Sequence, residues 1–132
     1  MMAFVPAGVW AALILALSTR SGAFFDPVAP ARNDGSVRLA LEILVHVVQF
    51  SVFFLLLRWA LARRGGSAIA ASCMALAAVI GLSLLNETVQ AFTVTRMFDG
   101  FDIAVDVTAG TAMALATIAP QFARQSAWTA DQ

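Results

Sequence analysis

Ser67 to Leu85, SAIAASCMALAAVIGLSLL, runs for 19 residues without a charged side chain. About 20 predominantly apolar residues cross the ~30 Å hydrocarbon core of a bilayer as a helix. This stretch, extended to about Gln90, therefore reads as a membrane span, and the rest of the chain falls into place around it. Upstream, Arg63-Arg64-Gly65-Gly66 makes a tight reversal out of a second apolar run, Val37 to Leu61. Downstream, Thr93 to Phe101 is a short polar connection to a further run at about Asp102 to Ile118, which Pro120 is expected to stop. A first run, Ala3 to Ser18, ends at Thr19-Arg20. It is expected to remain as a span rather than be cleaved, because Met1 to Val9 has no basic residue and a signal peptide needs one. Arg20 to Ser36, with Pro27, Pro30 and Asn33-Asp34-Gly35, reads as a loop.

Composition agrees. Of 132 residues, 61% are hydrophobic and 12% charged, the net charge is zero, and the mean hydropathy is +0.84. An average soluble domain is about a quarter charged, so a soluble globule is excluded, and so is a disordered chain. The expected fold is all-α: one domain over residues 1–132, an integral membrane four-helix bundle with spans at about 3–18, 37–61, 67–90 and 102–118. All eight basic residues are Arg, and Tyr is absent; with much Ala this usage suggests a GC-rich bacterial genome and the inner membrane. No basic block exceeds Arg63-Arg64, so no nucleic acid partner is implied. Cys73 stands alone in an apolar run and is expected to be a small buried hydrophobe. Counting arginines by side gives a tie, and the cluster of Arg58, Arg63 and Arg64 in a short loop tips the expectation toward a cytoplasmic N-terminus.

Alternation of direction places the start of span two, the end of span three and the start of span four on one side. The polar residues within the spans lie there. Span two has Glu42, His46 and Gln49 at i, i+4 and i+7. Span three ends in Asn86, Glu87 and Gln90, and span four opens with Asp102 and Asp106. The opposite halves, Phe53 to Leu57, Ile69 to Ile80 and Ala112 to Ile118, are almost wholly apolar. One polar and one dry half are expected. Ala71, Ala75, Ala77, Ala78, Ala109, Gly110, Ala112 and Ala114 would allow close helix approach in the dry half.

Carboxylates in a bilayer cost about 2.5–3.5 kcal/mol each on the insertion scale. Convergence of Glu42, His46, Glu87, Gln90, Arg96, Asp102 and Asp106 on one polar pocket would offset that cost. The plainer arrangement has them scattered at headgroup depth near the helix ends. A lone His without a second His or a thiolate cluster does not indicate a metal set. No nucleophile–base motif or cofactor loop is visible, so neither catalysis nor a cofactor is expected.

Glu87-Thr-Val-Gln90-Ala-Phe92-Thr-Val-Thr-Arg96 resembles the E-x-x-Q-x-F-x-x-x-R signature of VanZ-like membrane proteins. In that family an Asp follows the Arg by six positions, as Asp102 does here. An Asn is usual four further on, where this chain has Asp106. Ala109 takes the usual Gly position, with Gly110 beside it. The D-K-x-x-H pattern early in span two is matched by Glu42 and His46, without the Lys. The resemblance covers roughly Val37 to Leu115 and implies a small multi-pass protein of the cell envelope. Three function classes remain. The polar pocket binds a lipid headgroup or other small polar group, without turnover. Alternatively, the chain is an accessory subunit of a larger bacterial membrane complex, respiratory or photosynthetic in type, with Trp10, Trp59 and Trp128 turned to lipid or partners. An enzyme using Glu87 or Asp102 as a general base is the third and least favoured.

Overall fold

A computed structural model describes residues 2–19, 35–92 and 98–130 of the chain, with residues 122–130 as backbone only. Four α-helices follow a 3-10 turn at Met2–Phe4: α1 (Val5–Ser18), α2 (Gly35–Ala62), α3 (Ala68–Ala91) and α4 (Gly100–Ala130). At 1.5 Å per residue, the 28 residues of α2 and the 24 of α3 reach about 42 and 36 Å. Together with Gly100–Gln121 of α4, they are long and apolar enough to cross a membrane. The apolar segment Met2–Ser18 is shorter, at about 27 Å with its 3-10 turn.

Local chemistry sets the ends. Pro6 sits in the first turn of α1, where its missing N–H is no loss. Gly65 takes φ +80°, a backbone region that costs glycine little, and closes α2 into the reversal. Ser67 caps α3, its Oγ accepting from the Ala70 N–H at 3.1 Å. Asp99 does the same for α4, accepting from the Phe101 N–H at 2.8 Å. Pro120 does not stop α4, which continues through it to Ala130. A proline removes one ladder bond and crowds the preceding turn, and polar side chains can satisfy carbonyls in such a turn. One turn on, the Gln121 side-chain amide donates to the Thr117 carbonyl at 3.3 Å.

α2, α3 and α4 pack against one another, and α1 lies against α2 and α3. The core holds Ile14 of α1, Phe50, Phe53 and Phe54 of α2, Ala75, Val79 and Leu82 of α3, and Ala114 of α4. Gly110 lets α3 and α4 close: a Cβ there would stand 2.9 Å from Val79 Cγ1 and 3.2 Å from Leu76 Cδ1. Of the small residues expected to mediate close approach, Ala71, Ala75, Ala109 and Ala114 are buried, while Ala77 and Ala112 face outward. Cys73 is also exposed rather than buried, because steps of 100° put 73, 77, 80 and 84 opposite the face of 75, 79, 82 and 86. That outer face is apolar too, with Met74, Ile80, Leu84 and Leu85 exposed. A helix apolar on all sides suits a lipid surround.

Trp10, which the accessory-subunit alternative would turn to lipid or partners, packs inward. Its indole N–H donates to the Gln49 carbonyl at 2.9 Å and ties α1 to the middle of α2.

Candidate functional site

The inner stripe of α3 near its C-terminal end carries Ser83, Asn86, Glu87 and Gln90, all buried. Against it lie the first two turns of α4, with Asp102 and Asp106. His46 enters from α2, above the buried ring of Phe50, which is nearly parallel to the imidazole at 10°.

Asp106 joins the three helices. It is fully buried, and its two oxygens take different partners: Oδ1 lies 2.9 Å from His46 Nδ1, and Oδ2 accepts from Ser83 Oγ at 2.7 Å. When Asp106 is ionised it only accepts, and the imidazole hydrogen of this bond is then on Nδ1. The other ring nitrogen of His46 faces Asp102 Oδ2 at 3.7 Å, an ion-pair distance rather than a hydrogen bond. Glu87 is fully buried, and its Oε2 accepts from the Asp99 backbone N–H at 3.0 Å, fastening the start of α4 to the end of α3. Its Oε1 has no partner among the described residues, and neither does Asn86 Oδ1. Asp102, His46 and Asp106 are within electrostatic reach of Glu87. The result is a cluster of carboxylates around one imidazole, at a single end of the bundle.

Five of the seven residues read from the sequence are thus drawn to this end: His46, Glu87, Gln90, Asp102 and Asp106. Glu42 is not. It pairs with Arg38 on its own helix at 3.1 Å, in an exposed i, i+4 bridge. Gln49, on the same sequence stripe, belongs to a different neighbourhood: it lines an apolar cavity of about 280 Å³ between α1 and α2, with Trp10, Ile14 and Val48. One stripe of α2 is therefore shared among the helix end, α4 and α1. Arg96 lies outside the described residues.

The sequence reading passed over Ser83 and Asp99. Ser83 could have been found from its spacing, since Ser83, Glu87 and Gln90 repeat at i, i+4 and i+7. The backbone N–H of Asp99 left no trace in side-chain identities.

The half expected to be dry holds a second polar cluster. Arg58 Nε donates to Ser72 Oγ at 2.9 Å, Ser72 donates to the Ala68 carbonyl at 3.0 Å, and Thr117 Oγ1 stands 3.4 Å from Ser72 Oγ. Ser72 is fully buried. The long stem of Arg58 lies along apolar surface while its head finds a hydroxyl, so Arg58 is more than a solvated turn residue.

Among the described residues, no group of three or more His, Cys, Asp or Glu has the arrangement to hold a metal ion. Compared with known proteins, the chain matches no family model, no curated protein and no solved structure.

Proposed function

We propose that this chain is a non-catalytic, multi-pass protein of the bacterial inner membrane, VanZ-like in its signature residues. Its carboxylate-rich end would hold a lipid headgroup or another small polar group. The reading rests on Glu87 Oε1 and Asn86 Oδ1, two buried acceptors with no donor among the described residues. An unsatisfied buried polar atom costs about 1–3 kcal/mol, and a ligand N–H or O–H would offset that. Asp102, within electrostatic reach of Glu87, is half-buried. Ser83 is not part of a serine–histidine pair. Its hydroxyl donates to Asp106 and not to His46, so the imidazole does not act on it as a general base.

The alternative, an accessory subunit of a larger membrane complex, is favoured by one observation. Cys73, Ala77 and Gly81 stand four residues apart, all exposed on the outer face of α3. Small residues at that spacing let a foreign helix approach closely.

The test is native mass spectrometry of the protein purified in mild detergent. Headgroup binding predicts a small particle carrying one stoichiometric lipid or polar molecule, lost on Glu87→Gln and kept on Glu42→Gln. A large complex would favour the accessory reading. A bare particle that turns over a lipid-linked substrate in an Asp102-dependent way would overturn both.

A further inference from the structure

We propose that the opposite end of the bundle binds the phosphate of an anionic phospholipid, with Arg58 as the clamp. This end comprises the start of α1, the α2–α3 turn and the second half of α4. Its described residues include Arg58, Arg63 and Arg64 and no Asp or Glu. Every described carboxylate (Glu42, Glu87, Asp99, Asp102 and Asp106) belongs to the other end. Among the described residues this end therefore carries three guanidinium groups and no carboxylate to pair with them.

Arg58 is built to receive a phosphate. Its Nε is committed to Ser72 Oγ, and the buried Ser72 is itself fixed on the Ala68 carbonyl. This anchor sets the plane of the guanidinium while leaving its two terminal nitrogens without a partner among the described residues. Arg58 is half-buried, so its guanidinium is partly open to the surroundings of the bundle. The N–H groups of the two terminal nitrogens form the planar fork that matches two phosphate oxygens.

Depth also fits. Arg58 stands four residues before the end of α2, about 6 Å below it, within reach of headgroups for a snorkelling side chain. Two aromatic rings mark the same level. The Arg63 guanidinium lies 4.5 Å from the centre of the Trp59 ring, and that of Arg64 lies 4.4 Å from the Phe4 ring. Trp is enriched at membrane–water interfaces, and basic pockets between membrane helices take anionic headgroups. Phosphate in the headgroup plane, rather than an acidic peptide, suits a cation held at that depth.

The experiment offers the intact detergent-solubilised protein equal amounts of dioleoyl phosphatidylglycerol and dioleoyl phosphatidylcholine. Native mass spectrometry reads the bound lipid, and a melting temperature is taken for each variant. Wild type should retain the anionic lipid in preference, and Arg58→Gln should lower that retention about tenfold, the equivalent of one lost charge-assisted contact. Ser72→Ala keeps the charge but loses its aim, so a smaller drop is expected, about threefold on the same scale. Arg38→Gln, at the other end and paired with Glu42, should change nothing. Unchanged retention in both Arg58→Gln and Ser72→Ala would overturn the site. Equal retention of the two lipids would do the same. Displacement of the lipid by inorganic phosphate at matching concentration would replace the lipid with a free anion.

Discussion

Asp106 shows how a single side chain can hold three helices. Its carboxylate is buried and satisfied by His46 from α2 and Ser83 from α3. Removing one partner of a buried charged pair strands the other, at a cost of about 3–5 kcal/mol. Asp106→Ala is therefore expected to lower the melting temperature in detergent sharply. Ser83→Ala removes one bond to a charged acceptor and should cost about 1.5–3 kcal/mol. Glu42→Ala breaks only an exposed helix-surface bridge and should stay within about 0.5 kcal/mol of wild type. Equal losses for Asp106→Ala and Glu42→Ala would mean that the network contributes nothing to the bundle. Asp106→Asn keeps the size and one acceptor oxygen, so its loss should fall between those of Ser83→Ala and Asp106→Ala.

Among the elements, the α3–α4 contact depends on the missing side chain of Gly110. A Cβ there would meet Val79 Cγ1 at 2.9 Å, and a larger side chain would part the helices. Gly110→Leu should destabilise by about 1–3 kcal/mol, the usual cost of overpacking, and Val79→Ala should restore part of the loss. Gly81, with nothing within 4 Å of its Cβ position, provides the comparison. Gly81→Ala should be neutral or gain up to about 1 kcal/mol from helix propensity. If Gly81→Ala and Gly110→Leu behave alike, the close approach is not what holds these helices.

The elements also show what a sequence makes legible. The starts and ends of α2 and α3 follow from long apolar runs and from Gly65 and Ser67, which act locally. The gathering of His46, Glu87, Gln90, Asp102 and Asp106 follows from alternating direction alone. Pro120 misled because a helix-stop rule describes helices in water, and α4 continues past the ring. Glu42 and Gln49 misled because a face shared on a helical wheel does not say which neighbour covers each turn. Ser72 was hidden for another reason: one hydroxyl in an apolar run looks the same whether it faces lipid or receives an arginine.

For the whole molecule, the charges separate along the bundle: described carboxylates at one end, and Arg58, Arg63 and Arg64 at the other. This polarity and the lengths of α2, α3 and α4 together support an upright bundle in a bilayer. The central claim is that these helices cross, and site-specific labelling tests it most directly. Single cysteines replace Gly35, Gly66 and Phe98 in a Cys73→Ser background, in intact cells treated with a membrane-impermeant maleimide. Gly66 is chosen over Gly65 because Gly65 holds φ +80°, and Phe98 over Asp99 because Asp99 caps α4. Gly35→Cys and Phe98→Cys should label from outside, and Gly66→Cys only after the membrane is opened. The reverse pattern would turn the bundle over and leave the crossing intact. All three sites labelling from the same side would contradict it.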